Sequence, residues 1–414
     1  MRHRAKHADY RARHPDTIGD VFDGEIYQTL RQTQVKPDDD YRYFDNPSDI
    51  ALGLGTDSFS MFKRRRRKGK SAAWPLILTN YNLHPSIRTR LENIICVGVI
   101  PGPNECKDIN SFLVPLIEEL LELAEGVDTV RVAVGDEALL GDILNFKLRA
   151  FLIILFGDIP AISKLLMLRG RNAMTPCRTC LWPATAYHGR TVTYYVPLTP
   201  PKPPEAREAA VASPDEFIPF IRTHDNFLYY YERLSRLPES PARTQLLQEC
   251  GLHGKPVLAS LSSIDLSSCA PYEMMHLIFE NLIPNMVSHW KGTFKWITEG
   301  DEPYIIAQDA WKVIGERTAA ATKTIPAQFI GTIPDIDKDF GLYKAEAHSF
   351  WFTHLAPILL NGVLPREYYL HFLAMREIIV WCLELEITLA QVDALEEKIR
   401  AWVQDYERLY ISKN

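Results

Sequence analysis

The stretch Leu148–Arg149–Ala150–Phe151–Leu152–Ile153–Ile154–Leu155–Phe156–Gly157–Asp158–Ile159–Pro160–Ala161 decides how the rest of the chain is read. An apolar run of this length, bounded by Gly and Pro, reads as a strand buried on both faces. Packing gives no reason for a carboxylate just past its end, so Asp158 is a candidate working residue. A second segment has the same design: Ile50–Ala51–Leu52–Gly53–Leu54–Gly55–Thr56–Asp57 is a short apolar strand with an aspartate at its end. If the two strands lie side by side, Asp57 and Asp158 meet across about a hundred residues of chain. Paired carboxylates are hard oxygen donors that suit magnesium or manganese. The plainer use of each Asp is to end a strand or start a turn.

The chain has 414 residues, 46% of them hydrophobic, and carries a formal net charge of −6. That size supports a large core and more than one subdomain, and that charge excludes a polycationic surface. Contact with nucleic acid then has to come from local patches. The only dense basic run is Lys63–Arg64–Arg65–Arg66–Arg67–Lys68, followed by Gly69–Lys70. It suits DNA phosphates or nuclear import, and its bland use is a solvated loop. No apolar stretch is long enough for a membrane span, and the basic N-terminus leads into no signal core. Seven cysteines without a signal core argue against a disulfide framework. Cys96, Cys106, Cys250, Cys269 and Cys382 stand alone, whereas Cys177–Arg178–Thr179–Cys180 has the spacing of half a zinc site.

Along the chain, residues 1–46 read as a polar, loosely ordered flank. Three strands are expected at 50–54, 74–78 and 94–100, a helix over 111–123, a strand at 129–134, and then the buried run. A helix is expected over 161–168, and the Pro-rich span 183–217 reads as a linker. Helices are expected at 225–250 and 272–292, with an extended helical region over 345–411. The order strand, strand, strand, helix, strand, with acids on the first strand and on a later central one, predicts an α/β, RNase H-like mixed-sheet core. That core is interrupted by an insertion and followed by a mostly helical C-terminal region. The boundaries are 1–46 for the flank, 47–182 for the core, 183–264 for the linker and helical insertion, 265–300 for a helix bearing a third acid, and 301–414 for the C-terminal region. In that helix His276 and Glu280 lie four apart and share a face; spacing alone favours an amphipathic core helix with a solvated Glu.

Six segments in order resemble the transposases of the CACTA (En/Spm-like) DNA elements, in their fungal form. They are Ile50–Ala51–Leu52–Gly53–Leu54–Gly55–Thr56–Asp57; Trp74–Pro75–Leu76–Ile77–Leu78–Thr79–Asn80–Tyr81–Asn82–Leu83; Val99–Ile100–Pro101–Gly102–Pro103; Phe156–Gly157–Asp158–Ile159–Pro160–Ala161; Pro176–Cys177–Arg178–Thr179–Cys180; and Met275–His276–Leu277–Ile278–Phe279–Glu280–Asn281. The resemblance covers roughly residues 17–410. It implies a cut-and-paste transposase with an acidic triad of Asp57, Asp158 and Glu280 holding two Mg²⁺ or Mn²⁺ ions, with Glu273 and Glu346 as the other candidates for the third acid. It also implies DNA as partner (transposon ends and target), a homo-oligomer or other element-encoded proteins, and a nuclear location. For a structural Zn²⁺ it offers Cys177, Cys180 and His276, with His188 as a further ligand candidate. Ser58 and Glu273–Met274–Met275 depart from the family pattern, and the chain starts near where the family's middle portion begins. The competing expectation is a catalytically inactive or domesticated derivative that binds DNA without cutting it.

Overall fold

The computed structural model describes residues 2–60, 72–102, 106–131, 144–170, 173–186, 193–198, 221–294 and 300–411. The basic run 63–68, His188 and most of the Pro-rich span lie outside them. The chain divides into two compact units: Met1–Pro15, Asp20–Val196 and Pro200–Pro271 form the first, and Asp16–Gly19, Pro197–Thr199 and Tyr272–Asn414 the second.

The first unit is a mixed sheet packed on both faces. Strands β1 (Ile50–Thr56), β2 (Ala72–Asn80) and β3 (Ile94–Pro101) form an antiparallel meander, with β2 between the other two. The helix between β3 and the next strands runs over Asn110–Glu125. After it, Val127–Arg131 (β4) and Leu144–Leu148 (β5) pair only with each other. The 148–156 run is therefore not one strand. It breaks at Arg149, whose guanidinium stacks 3.8 Å from the Tyr41 ring, and resumes as β6 (Ala150–Phe156), which pairs parallel with β1.

Side-chain alternation explains why β6 is apolar throughout. Leu152 and Leu155 join Leu52, Leu54 and the Asn110–Glu125 helix in one core, while Phe151 and Ile153 face Phe22, Tyr27, Tyr43 and Phe44 in another. The β1–β6 register slips by one between Leu52 and Gly53. This bulge puts one extra residue into β6 and re-times the alternation, so Leu155 returns to the same face as Leu152.

The N-terminal flank departs from its polar, loosely ordered reading. Helix α1 (Arg2–Arg13) and helix α2 (Glu25–Leu30) are ordered, and Phe22, Tyr27, Leu30, Tyr43 and Phe44 are buried. Charge, not apolar periodicity, seats α1. His3 lies 2.9 Å and Arg88 2.5 Å from Asp20 Oδ2, and His7 lies 2.8 Å from Asp23. Burial opposes ionisation of Asp20, but hydrogen bonds from Arg88 and His3 outweigh it and hold its carboxyl below the usual range.

The second unit is mostly helical. Its longest helices are Gln308–Ala321, Arg366–Cys382 and Leu389–Tyr406. Segments Met275–Leu282, Trp351–Leu355 and Glu407–Ile411 are wound as π-helix. Trp290, Trp311 and Trp351 are fully buried, and Trp351 Nε1 donates to Thr318 Oγ1 at 3.1 Å.

Candidate functional site

The parallel pairing of β1 with β6 brings the first two candidate acids together. The last paired residues are Gly55 and Phe156, and continuing that register by two residues sets Asp57 level with Asp158. The bulge is what makes them level; without the extra residue Asp57 would stand opposite Gly157. The strands close tightly here, because a Cβ on Gly157 would stand 2.7 Å from the Thr56 carbonyl oxygen. Gly53 and Gly55 have a matching reason: Tyr81 lies over the first and Phe156 over the second, where a Cβ would be 2.6 Å and 2.1 Å from ring atoms.

Asp57 is exposed at the end of β1. Asp158 is half-buried and caps the helix Ile159–Leu165; its Oδ1 accepts from Ala161 N at 2.6 Å. One carboxylate oxygen thus orients the side chain, and Pro160 in the first turn fixes the approach of the chain.

Glu280 belongs to the second unit, on the π-wound Met275–Leu282 segment, where it is exposed. Glu273 is committed to that segment's start: it accepts from His276 N at 2.9 Å and Met275 N at 3.0 Å, and its carboxylate also contacts His276 Nδ1. Glu346 is exposed on the helix Ala345–Phe350, which packs on the Met275–Leu282 segment. Among the described residues, no group of three or more His, Cys, Asp or Glu side chains is placed to hold a metal ion.

Cys177 and Cys180 form a close pair. The hydrogen bond between the two thiols, then burial, pushes the Cys180 thiol up. Thr179 N and Thr179 Oγ1 lie 3.4 Å and 3.1 Å from Cys177 Sγ. Beneath them sits Arg222, a residue that the sequence did not single out. Its Nε donates to the Cys177 and Cys180 carbonyls, both at 3.2 Å, and its Nη1 to the Cys250 carbonyl at 2.7 Å. Buried Arg222 Nη2 has no hydrogen-bond partner among the described residues. The Arg222 charge pulls the other way, toward the thiolate form that a metal requires, but the neighbouring thiol and burial outweigh it.

Residues 24–196 match the model of the transposase family tnp2. The tnp2 match takes in the whole β1–β2–β3 meander, β6, Asp57, Asp158 and the Cys177–Cys180 pair, and ends before Glu280. It supports a transposase-like protein, and such a family implies interaction with DNA. No curated protein matches the chain. Among the described residues, no helix is long and apolar enough to cross a membrane.

Proposed function

We propose that this chain is a metal-dependent DNA transposase of the CACTA type, built on an RNase H-like core, that cleaves and rejoins phosphodiesters at transposon ends. The observation that carries the reading is the level placement of Asp57 and Asp158 at the ends of parallel β1 and β6, inside the tnp2-matched span. A three-stranded meander with a later strand parallel to its first member supports the RNase H-like assignment.

The donor chemistry fits Mg²⁺ or Mn²⁺: two hard carboxylates stand at level positions on neighbouring strand ends, one oriented through its own helix cap and one exposed toward solvent. Bound there, divalent ions supply activation of water or a DNA 3′-hydroxyl and stabilisation of the leaving oxygen. Asp158 Oδ1 holds the Ala161 N–H and keeps the carboxylate aimed, while Gly157 lets β6 close on β1 so that the acids meet. Glu280 is our choice for the third acid, because Glu273 is spent on its own helix start. Cys177 and Cys180 are proposed as half of a structural zinc site with His276, over the buried Arg222. A nuclear location follows from the proposed substrate.

The test is Mn²⁺-dependent nicking of a duplex carrying the element's terminal repeat. Asp57→Asn and Asp158→Asn each abolish nicking while leaving the urea midpoint close to wild type. Nicking retained in the pure double variant refutes the reading, and binding without nicking by the unaltered chain supports the alternative of a domesticated DNA-binding derivative.

A further inference from the structure

A second feature lies directly behind Asp158. An open cavity of about 610 Å³ is walled by Ile159, Pro160, Ser163 and Lys164 of the helix that Asp158 caps. Lys107, Arg169 and His253 line its other sides, and among the described residues no acidic one does. In a chain of net charge −6, the three cations Lys107, Lys164 and Arg169 around one cavity are a local reversal of the protein's charge; burial lowers the His253 imidazole and leaves it outside that count.

The positions of Arg169 and His253 are built into the backbone. An isolated antiparallel bridge joins Leu168 to Leu252 and so sets Arg169 and His253 on neighbouring chains. His253 N donates to the Met167 carbonyl at 2.7 Å and Arg169 N to the Gly251 carbonyl at 2.9 Å. Met167 itself stands at φ 53°, a left-handed conformation that a side chain rarely adopts; such strain collects at functional sites. Lys164 is steadied with its ammonium 4.3 Å from the Trp74 ring centroid. Arg169 is half-buried, and among the described residues its side chain makes no hydrogen bond or ion pair.

We propose that this cavity binds the phosphodiester backbone of a DNA strand and holds it in register with the acid pair, a proposal that rests on the function given above. From Asp158 to Lys164 the helix rises about 9 Å at ~1.5 Å per residue, the axial span of two to three nucleotides at ~3.4 Å each. Lys164 therefore receives the phosphate two to three steps from the one facing Asp57 and Asp158, and Lys107 and Arg169 bind the backbone around it in the same cavity. The contacts are to phosphates, so they position the strand and carry no sequence information.

The experiment measures binding of the full chain to a 30-base-pair duplex of arbitrary sequence, without divalent metal, across a salt series. Each phosphate contact contributes about 0.9 to the slope of log association constant against log salt for duplex DNA, and about 0.7 for a single strand. The double variant Lys107→Gln/Arg169→Gln lowers the slope by about 1.8 on a duplex, while Lys312→Gln, an exposed cation on the second unit, leaves it unchanged. Arg169→Lys retains the wild-type slope, which keeps charge apart from any effect on folding; urea midpoints are taken on all variants. DNA binding with an unchanged slope in the double variant overturns the groove and leaves the acid-pair reading standing. Absence of salt-dependent DNA binding by the unaltered chain overturns both.

Discussion

Replacing Gly157 by alanine tests whether the acid pair depends on how tightly β6 closes against β1. The added Cβ would meet the Thr56 carbonyl oxygen at 2.7 Å and the Ala161 Cβ at 3.2 Å, whereas ordinary contact begins at 3.4 Å. Thr56 contributes backbone, not a flexible side chain, so the strand ends have to part by about 0.7 Å. A ladder bond of about 2.9 Å stretched by that amount reaches about 3.6 Å and is no longer a hydrogen bond. Losing one or two such bonds costs about 1 kcal/mol each, and the φ of 157° at Gly157, unfavourable to any side chain, adds roughly 1–3 kcal/mol. The expected destabilisation is roughly 2–5 kcal/mol, read as a lower urea midpoint. Mn²⁺-dependent nicking falls further than the folded fraction does, because the surviving protein holds Asp57 and Asp158 apart. Gly331→Ala, with nothing within 4 Å of the new methyl, serves as the control and leaves both readings unchanged. A Gly157→Ala protein with wild-type midpoint and wild-type nicking refutes the reasoning.

Two further outcomes follow from the packing. Gly55→Ala destabilises by about 1–3 kcal/mol through overlap with Phe156, and adding Phe156→Leu recovers part of that loss; denaturation of the four proteins of the cycle measures the coupling, and strict additivity argues against ring contact. Burial holds the buried His289 and His348 imidazoles down to about 3 and about 4, and lowers His371 too. Their folded values lie below the unfolded 6.5, so their contribution is intact above pH 6.5 and is lost as pH falls below it. At pH 5 His289 and His348 each cost about 2 kcal/mol, and urea midpoints of the second unit that stay flat from pH 7.5 to 5 contradict this.

Much of the first unit was legible because its strands are continuous or closely spaced apolar runs. β1, β2, β3 and the Asn110–Glu125 helix stand within a few residues of where composition and periodicity set them. Three things were not legible. The run at 148–156 gave no sign that Leu148 belongs to the β4–β5 hairpin, because strand exchange at Arg149 depends on Tyr41, far off in sequence. The span 225–250 read as one helix, but Thr223 and Ser240 each cap a separate one, His224–Arg236 and Pro241–Glu249. Helix α1 was invisible to a search for apolar periodicity, since its contacts are His and Arg to Asp. At the site, the side-by-side placement of the strands that carry Asp57 and Asp158 could be anticipated from two runs of the same design. The π-winding of Met275–Leu282 and the seat of Arg222 under the cysteines leave no periodic trace.

The ordered N-terminus bears on where this protein can be trimmed. A family match that opens at residue 24 invites a cut there or at the start of β1, yet the outer face of the sheet is roofed by Phe22, Tyr27, Tyr43 and Phe44, and Arg4 hydrogen-bonds the Tyr27 hydroxyl and the Phe44 carbonyl. A shortened protein beginning at residue 47 would bare Ala51, Phe151 and Ile153, wetting large apolar side chains at about 1.5–3 kcal/mol each. Sequence homology and foldable length thus part company here, and the roof travels with the sheet it covers.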